Sequence, residues 1–500
     1  MRASDTFSFG KLVLPRRPKS SAAVLGLVAL ALLTTSLSVF VLSRLGMAGF
    51  TLLLGGLLAF ALLMHISQKD LSILLMLWLM SMSAFRMLGM VKMPALPDFS
   101  FDRLFLAIMF FFFMLRLITW QRRLPGPYYA EAFLILHTVY VLFNLLFMAP
   151  QHFHAWVLSN LSPLFAFLVG RYMISNGTVI RNLIIFFLII SIYYYVESIA
   201  QHFGWNWLIW PKTIINAEKL GLWQPGRSRG PVLHPPLFGQ LQAMLLLVHV
   251  FLLTRPLHRM LKLLVSLSLA ASLLGLYFAY TRAPYFALGA GLLTFGIMCP
   301  RSRRPMVVGI VLIALLQAVF SFNPSKDEFL QERLQTTGTF ENRLMMVANS
   351  IRIVQDYPVF GVGVFKAREY LWIYNRGTEI PFYGYVKRHF GGTGEMVPHD
   401  IYISRIAEEG LVSALLLLGF AIVVWRAFGR KWRQRPTEAW FNRDVLALFA
   451  AIEVAYLVGG MAIDYRYFDF INALAFLIAG IVVGYGGASS RMEQRSVAMT

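Results

Sequence analysis

Two arginines and a histidine stand directly before an apolar stretch of this sequence. Arg227 and Arg229 lie in the segment Gly226–Pro231, and His234 follows, directly before two prolines. Arginine side chains present paired donors to phosphate oxygens, and a helix N-terminus adds a positive partial charge, so this arrangement favours a bound anion. The alternative is contact between interfacial arginines and lipid headgroups.

A further arginine occupies a very short polar turn between two apolar stretches. Arg282 lies in Tyr280–Pro284, with long apolar runs on both sides. A charge in such a place is costly unless it has a partner or faces a water-filled cavity. We therefore expect a cavity-lining arginine that holds a polyanionic substrate, and the alternative is a side chain that reaches the membrane interface.

A long polar segment carries a third group of motifs, which are Glu341–Arg343, Asp356–Gly363, Pro398–Tyr402 and Glu408–Gly410. The glycines at 361 and 363 follow an apolar pair and indicate a tight turn. They are not a nucleotide-binding fingerprint, because the third glycine and the strand-to-helix context are missing.

His399 is the candidate general base of this group. A lone histidine is more often structural, but Asp400 stands beside it and several arginines are expected nearby. The imidazole would take a proton from a sugar hydroxyl while the cations stabilise a departing diphosphate. Since no zinc-ligand spacing and no paired carboxylates for a divalent ion occur, we expect no metal and no cofactor.

The elements that position these residues are membrane helices. The 500 residues are 58% hydrophobic with a mean hydropathy of +0.64, far from the composition of soluble proteins. The formal charge of +21 comes from Lys and Arg in short runs between apolar stretches, which argues for orientation signals and against nucleic-acid binding. Cys299 is the only cysteine, so no intramolecular disulfide forms.

We predict an all-α polytopic membrane protein with about 12–14 transmembrane helices. The positive-inside rule places both termini in the cytoplasm of a bacterial inner membrane and the motifs on the periplasmic face. The predicted spans are 22–43, 47–66, 71–91, 103–120, 129–149, 155–174, 180–201, 237–254, 262–280, 284–299, 306–322, 409–427, 443–463 and 468–487.

The segment 323–408, between the spans predicted over 306–322 and 409–427, is predicted to be a large, partly helical periplasmic loop. It is rich in aromatic residues, which disordered segments lack, and Gln331–Tyr357 spaces its apolar residues at near-helical intervals. The chain then divides into N-terminal spans, central spans with arginine-bearing outer loops, the loop, and C-terminal spans with a cytoplasmic tail, over 1–205, 206–322, 323–408 and 409–500.

The motifs together resemble the O-antigen ligase and polymerase superfamily. They are Arg-Gly-x-x-x-His-Pro before a helix, Thr-Arg-Ala in a turn, Gly-x-Gly after Tyr-Pro-Val-Phe, and His-Asp-x-Tyr with a later Glu-Gly, within roughly residues 220–425. The resemblance implies a glycosyltransferase of the GT-C type. Such an enzyme transfers glycans from undecaprenyl diphosphate on the periplasmic side without a metal.

The resemblance also implies roles for single residues. His399 looks like the family's essential histidine, and Arg282 and Arg343 look like its turn and loop arginines. Many members have Asn where this chain has Asp400, and a carboxylate there would raise the basicity of the histidine if it orients the ring. The expected substrate-binding residues are Arg229, which we prefer to Arg227 for the family's arginine by its spacing to Gly230, together with Arg227, His234, Asp400, Tyr402 and Glu408.

The leading functional hypothesis is an inverting polymerase of lipid-linked O-antigen or exopolysaccharide repeat units. A ligase that sends the glycan to lipid A core is the close alternative, and a transporter of the same lipid-linked glycan is the alternative of another class. The expected partners are the undecaprenyl-diphosphate-linked oligosaccharide, a glycan or lipid A core acceptor and membrane lipids. Polysaccharide-export or chain-length-control proteins are further candidates, and nucleic acid is not expected.

Overall fold

The structure, a computed structural model, describes residues 71–83, 101–119, 128–174, 176–215, 227–303 with 307 and 311, 338–376 and 399–485. All of these except Leu71 belong to one unit, Ser72–Thr500. The predicted spans over 22–43 and 47–66, and nearly all of 306–322, lie outside the described residues.

The described chain is built from helices. In chain order they are α1 Leu71–Ser83, α2 Phe101–Thr119, α3 Tyr129–Met148, α4 Pro150–Met173, α5 Gly177–Phe203, α6 Pro235–Leu253, α7 Arg259–Phe278, α8 Arg282–Met298, α9 Gly338–Asp356, α10 Ala367–Arg376, α11 Ile401–Gln434, α12 Arg443–Gly460 and α13 Asp469–Gly484. A two-residue hairpin, β1 Thr437–Glu438 and β2 Phe441–Asn442, joins α11 to α12.

Within the described residues, six helices are long and apolar enough to cross a membrane, namely α3, α4, α5, α6, α7 and α11. The helices α8, α12 and α13 cover three further predicted spans but are shorter or more charged. The prediction of an all-α polytopic membrane protein is confirmed. The total number of spans stays a prediction.

Helix α6 forms the centre of the bundle. Apolar residues occur on every side of it, as a helix surrounded by other helices requires. In its apolar stretch, 89% of the residues are buried. It packs against α5, α7, α8 and α12. Pro235 and Pro236 start it, since the first turn of a helix needs no backbone donor.

Small residues bring α4 and α13 into close contact. A side chain at Gly170, Gly480 or Gly484 would overlap backbone atoms of the opposite helix. Backbones that approach this closely gain packing contacts that lipid does not supply. Arg171 and Glu131 form a buried ion pair beside this contact, which ties α3 to α4.

Helix α11 differs from its prediction. The span predicted over 409–427 is part of a helix that begins at Ile401 and ends at Gln434, with a break at Gly410 (φ 79°, ψ 176°). The predicted boundary between loop and span at 408/409 thus lies next to this break. Hydropathy misses the first turns because they carry Arg405, Glu408 and Glu409, whose charges are paired inside the protein.

The predicted helical character of the long loop is confirmed by α9 and α10. Both pack against the first part of α11, through a cluster of buried side chains. The cluster consists of Ile353, Val362, Ala367, Leu371 and Ala407. The hydroxyl of Tyr374 also donates a hydrogen bond to Asp356, which joins α10 to the end of α9.

Candidate active site

The segment that carries the first two arginines docks onto the turn that carries Arg282. The guanidinium of Arg227 donates hydrogen bonds to the Ala279 carbonyl oxygen (3.1 Å) and to Thr281 Oγ1 (2.5 Å). The backbone of Ser228 adds a bond to the Phe278 carbonyl (2.9 Å). Two motifs that are about fifty residues apart in the sequence therefore form one surface at the end of α7.

The backbone beside Arg229 is fixed by α5. Gln201 Oε1 accepts hydrogen bonds from the backbone N–H groups of Arg229 (2.8 Å) and Gly230 (3.2 Å). Gly230 has a φ of 51°, and a side chain there would overlap the ring of Phe238. The turn after Arg229 therefore requires glycine.

The three arginines of this region differ in burial. Arg227 is 7% exposed and joins the two motifs, Arg229 is half-buried, and Arg282 is exposed at the first position of α8. A helix N-terminus favours anions, and an exposed arginine there adds full positive charge. Arg229 and Arg282 are thus better placed than Arg227 to meet a ligand.

His234, directly before α6, brings the first and third groups of motifs together. Burial, and after it the nearby positive charges of His399 and Arg227, lower the pKa of His234 to about 4. His399 and Arg227, from two other segments of the chain, therefore both lie within electrostatic reach of His234. Among the described residues, no hydrogen-bond partner reaches the buried Nδ1 of His234.

The neutral state of His234 predicts a pH effect on stability. The folded protein binds a proton there only near pH 4, whereas an unfolded histidine titrates near 6.5. Stability should therefore be full above about pH 6.5 and fall as the pH drops towards 4, by at most about 1.4 kcal/mol per pH unit. Melting temperatures of the wild type and His234→Gln across this range check it. Parallel curves would contradict a folded pKa near 4.

Asp400 caps helix α11. Its Oδ1 accepts hydrogen bonds from the backbone N–H groups of Tyr402 (2.8 Å) and Ile403 (2.9 Å), as expected of an aspartate before a helix. Burial raises the pKa of Asp400, and these backbone bonds oppose that rise. The capping contacts of this oxygen account for an aspartate at position 400 and do not involve the exposed His399.

The cap predicts different outcomes for two substitutions of Asp400. Asparagine caps as well as aspartate, so Asp400→Asn should retain glycan transfer, whereas Asp400→Ala should lose about 1 kcal/mol of stability. Thermal unfolding and a transfer assay of both variants check this. An Asn variant that is stable but inactive would instead show that the carboxylate orients His399.

Glu408 and Tyr402 are used in contacts within the protein. Glu408 is 4% exposed, and its Oε2 accepts hydrogen bonds from Arg466 (2.8 Å) and from the Tyr467 hydroxyl (2.8 Å). Arg466 also pairs with Asp464 (2.7 Å). The hydroxyl of Tyr402 donates to the Leu457 carbonyl (2.7 Å). These contacts fasten α11 to α12 and to the connection between α12 and α13.

Arg466 was not predicted as a site residue, although it shares the sequence feature on which the prediction of Arg282 rests. Both arginines lie in a short connection between two apolar helices. The structure shows a different environment, because Arg466 is 1% exposed and has two carboxylate partners. A buried charge paired in this way holds the backbone in place.

The Gly-x-Gly turn rests on the break in α11. The backbone N–H groups of Val362 and Gly363 donate to the carbonyls of Ala407 and Glu408 (both 2.9 Å), and that of Leu411 donates to Pro358 (2.8 Å). Gly361 has a φ of 65°, and a Cβ there would lie 2.5 Å from the Glu408 carbonyl. We call this contact between residues 358–363 and 407–411 the glycine junction.

A buried polar network supports the glycine junction from α3. The hydroxyl of Tyr140 donates to the carbonyls of Val359 (3.0 Å) and Glu409 (2.9 Å), and Asn144 donates to Phe360. The Glu409 carboxylate itself accepts from Arg405 (3.0 Å) and from Ser413, with His137 beside it. Glu409 lies in the Glu408–Gly410 motif, but its partners could not be found from the sequence, because His137, Tyr140 and Asn144 lie in an apolar stretch.

Arg343 lies on α9 by its backbone, and its side chain is outside the described residues. Because α9 packs against α11, the helix that carries Arg343 contacts the helix that begins beside His399. Within the described segments, no group of three or more His, Cys, Asp or Glu side chains is arranged to hold a metal ion.

Comparison with known proteins identifies the part of the chain that carries these motifs. Residues 267–418 match the sequence profile of the O-antigen ligase family. This segment is an O-antigen ligase family domain. The resemblance to the O-antigen ligase and polymerase superfamily is thus confirmed for this segment. No curated protein sequence matches the chain.

The family domain contains the Arg282 turn, both sides of the glycine junction, and the segment from His399 to Gly410. Arg227, Arg229, His234 and Arg466 lie outside it. The contacts of Arg227 with Thr281, and of Arg466 with Glu408, connect them to the family domain. The candidate active site is therefore the family domain completed by α6, the segment before it, and the connection between α12 and α13.

Proposed function

We propose that this protein is a glycosyltransferase that acts on undecaprenyl-diphosphate-linked glycans at the periplasmic face of the bacterial inner membrane. The observation that carries the proposal is the convergence of Arg227, His234 and His399 at one end of the bundle, beside the Arg282 turn of an O-antigen ligase family domain. The half-buried Arg229 and the exposed Arg282 supply the positive charge that a diphosphate needs there.

His399 is the general base in the proposed reaction. It takes the proton from an acceptor hydroxyl as that oxygen attacks the anomeric carbon of the donor sugar. A carbon–oxygen bond forms on one face while the bond to the diphosphate breaks on the other, so the configuration inverts. The diphosphate leaves with the bonding electron pair, and the proton stays on His399.

Arg282 and Arg229 stabilise the charge that develops on the departing diphosphate, and Arg343 is the third arginine in this role. Arg282 is exposed at a helix N-terminus, where both the guanidinium charge and the helix dipole favour a bound anion. His234 stays neutral because of its burial and its cationic neighbours, and the exposed part of its half-buried ring is the part that contacts the substrate. Arg227, Asp400, Tyr402 and Glu408 are positioning residues, since their contacts are with other parts of the protein.

The same chemistry serves a polymerase and a ligase, which differ only in the acceptor. A polymerase uses a hydroxyl of a second carrier-bound glycan, and this remains our leading proposal. A ligase uses a hydroxyl of lipid A core, and the description of the matched family as O-antigen ligase favours this second candidate.

The deciding experiment incubates the purified protein with lipid-linked oligosaccharide alone, in EDTA, and resolves the products on a gel. A ladder of products supports a metal-independent polymerase. Transfer that appears only after lipid A core is added makes the protein a ligase. Absence of transfer to either acceptor contradicts the proposed activity, and flipping of the same carrier in vesicles then tests transport.

A further inference from the structure

A groove lies at the opposite end of α11 from the candidate active site. It encloses about 710 Å³ between the second half of α11 and the first residue of α3. Its apolar lining comes from Ile422, Val423, Trp425 and Tyr129. At 1.5 Å per residue, the stretch from Asp400 to Arg430 is about 45 Å long, so the groove and the active site are separate places.

Three arginines line the same groove. Arg426, Arg430 and Arg433 follow one another at helical spacing on one face of α11, and all three are exposed. Within the described part of the chain, none of the three has an acidic side chain within ion-pair distance. The groove therefore combines a strong positive charge with an apolar wall.

The floor of the groove is open at Gly429. A Cβ added there would meet no other atom within 4 Å, whereas at Gly419, ten residues earlier on the same helix, it would lie 2.5 Å from the Phe133 ring. A glycine in a helix lowers stability by about 0.5–1 kcal/mol relative to alanine. No packing contact requires glycine at position 429, and its absent side chain leaves the groove open.

The positive charge and the apolar wall together indicate which kind of ligand the groove binds. The arginines match phosphate oxygens, and the wall of Ile422, Val423 and Trp425 matches a hydrocarbon chain. Trp425 and Tyr129 are residues that favour the boundary between hydrocarbon and headgroups. Basic pockets between transmembrane helices bind anionic lipid headgroups on this principle.

We propose that this groove is a binding site for an anionic phospholipid, with its phosphate against Arg426, Arg430 and Arg433 and an acyl chain along the apolar wall. The site is independent of the glycan-transfer reaction. It places a lipid between α3 and α11, the two helices that meet again at the glycine junction.

The test measures lipid retention by native mass spectrometry of the purified full-length protein, titrated with phosphatidylglycerol or with phosphatidylcholine. The variants are Gly429→Leu, which fills the groove and leaves every arginine in place, and a triple change of Arg426, Arg430 and Arg433 to glutamine. Lys431 and Arg435 stay in the triple variant, so that end keeps positive charge. The matched control is Gly289→Leu, since a side chain at Gly289 also meets no other atom within 4 Å.

We expect the wild type and Gly289→Leu to retain phosphatidylglycerol, and both groove variants to bind it at least about tenfold more weakly. Phosphatidylcholine should bind weakly to all four proteins. Equal retention by the wild type and Gly429→Leu would overturn the proposal, as would equal binding of the two lipids. If glycerol phosphate without acyl chains competes as well as the whole lipid, the groove is an anion site and not a lipid site.

Discussion

His399→Ala should abolish glycan transfer while the protein still folds and binds its lipid carrier. The exposed ring lies directly before the Asp400 cap and within electrostatic reach of His234. Removal of a general base costs about 10²–10⁴-fold in rate. Because the ring is exposed, its loss leaves no cavity in the core, and the thermal stability should stay close to that of the wild type.

The measurement is product formation from lipid-linked oligosaccharide, together with carrier binding and melting temperature of the same preparation. His258→Ala is the matched control, since His258 is also an exposed histidine directly before a helix, α7. The control should transfer glycan at the wild-type rate. Normal products from the His399 variant would remove it as the general base, whereas lost carrier binding would place its role in substrate recognition.

Gly410→Ala should disrupt the glycine junction and with it both stability and activity. Gly410 has a φ of 79° and a ψ of 176°, a conformation that only glycine adopts without strain. A side chain there would also overlap the Val359 carbonyl and lie 2.8 Å from the Phe360 nitrogen. Strain and overlap together should cost at least about 3 kcal/mol.

Thermal unfolding of the purified variant checks this, with Gly289→Ala as the control. Gly289 lies in α8, and a side chain there meets no other atom within 4 Å, so alanine should be neutral or stabilising. If Gly410→Ala unfolds at the wild-type temperature, the break in α11 is not needed for the junction. A variant that stays folded but loses transfer would show that the junction positions the N-terminal turns of α11, and with them His399.

The glycine junction gives the sequence motifs a physical meaning. Tyr-Pro-Val-Phe-Gly-x-Gly and Glu-Glu-Gly are the two sides of one backbone contact, with Gly361 and Gly410 at the closest approach. The long loop is thereby fastened to α11 shortly after His399. The loop helices α9 and α10 are held in place with it, because they pack on the same part of α11.

The structure gives the predicted site residues individual environments that the sequence does not show. Arg227 and Arg229 look equivalent in the sequence, and the structure buries the first against Ala279 and Thr281 and leaves the second half-buried. Glu408 looked like a substrate ligand until its partners Arg466 and Tyr467 were visible. The selection of polar residues between apolar stretches cannot separate a residue that meets substrate from one that holds the backbone.

The helices of the bundle, the membrane-protein class and the family of residues 267–418 could be predicted from the sequence alone. Hydropathy is a local property, so a stretch such as Pro235–Leu253 is apolar enough to identify without its neighbours, and the motifs of the family domain are also read within short segments. The pairing of charged and polar side chains, by contrast, became visible in the folded chain. Arg466 and Glu408 are 58 residues apart, and His137 and Ser413 are 276 apart. A polar side chain inside a membrane protein needs a partner, and which one it takes depends on how the helices pack.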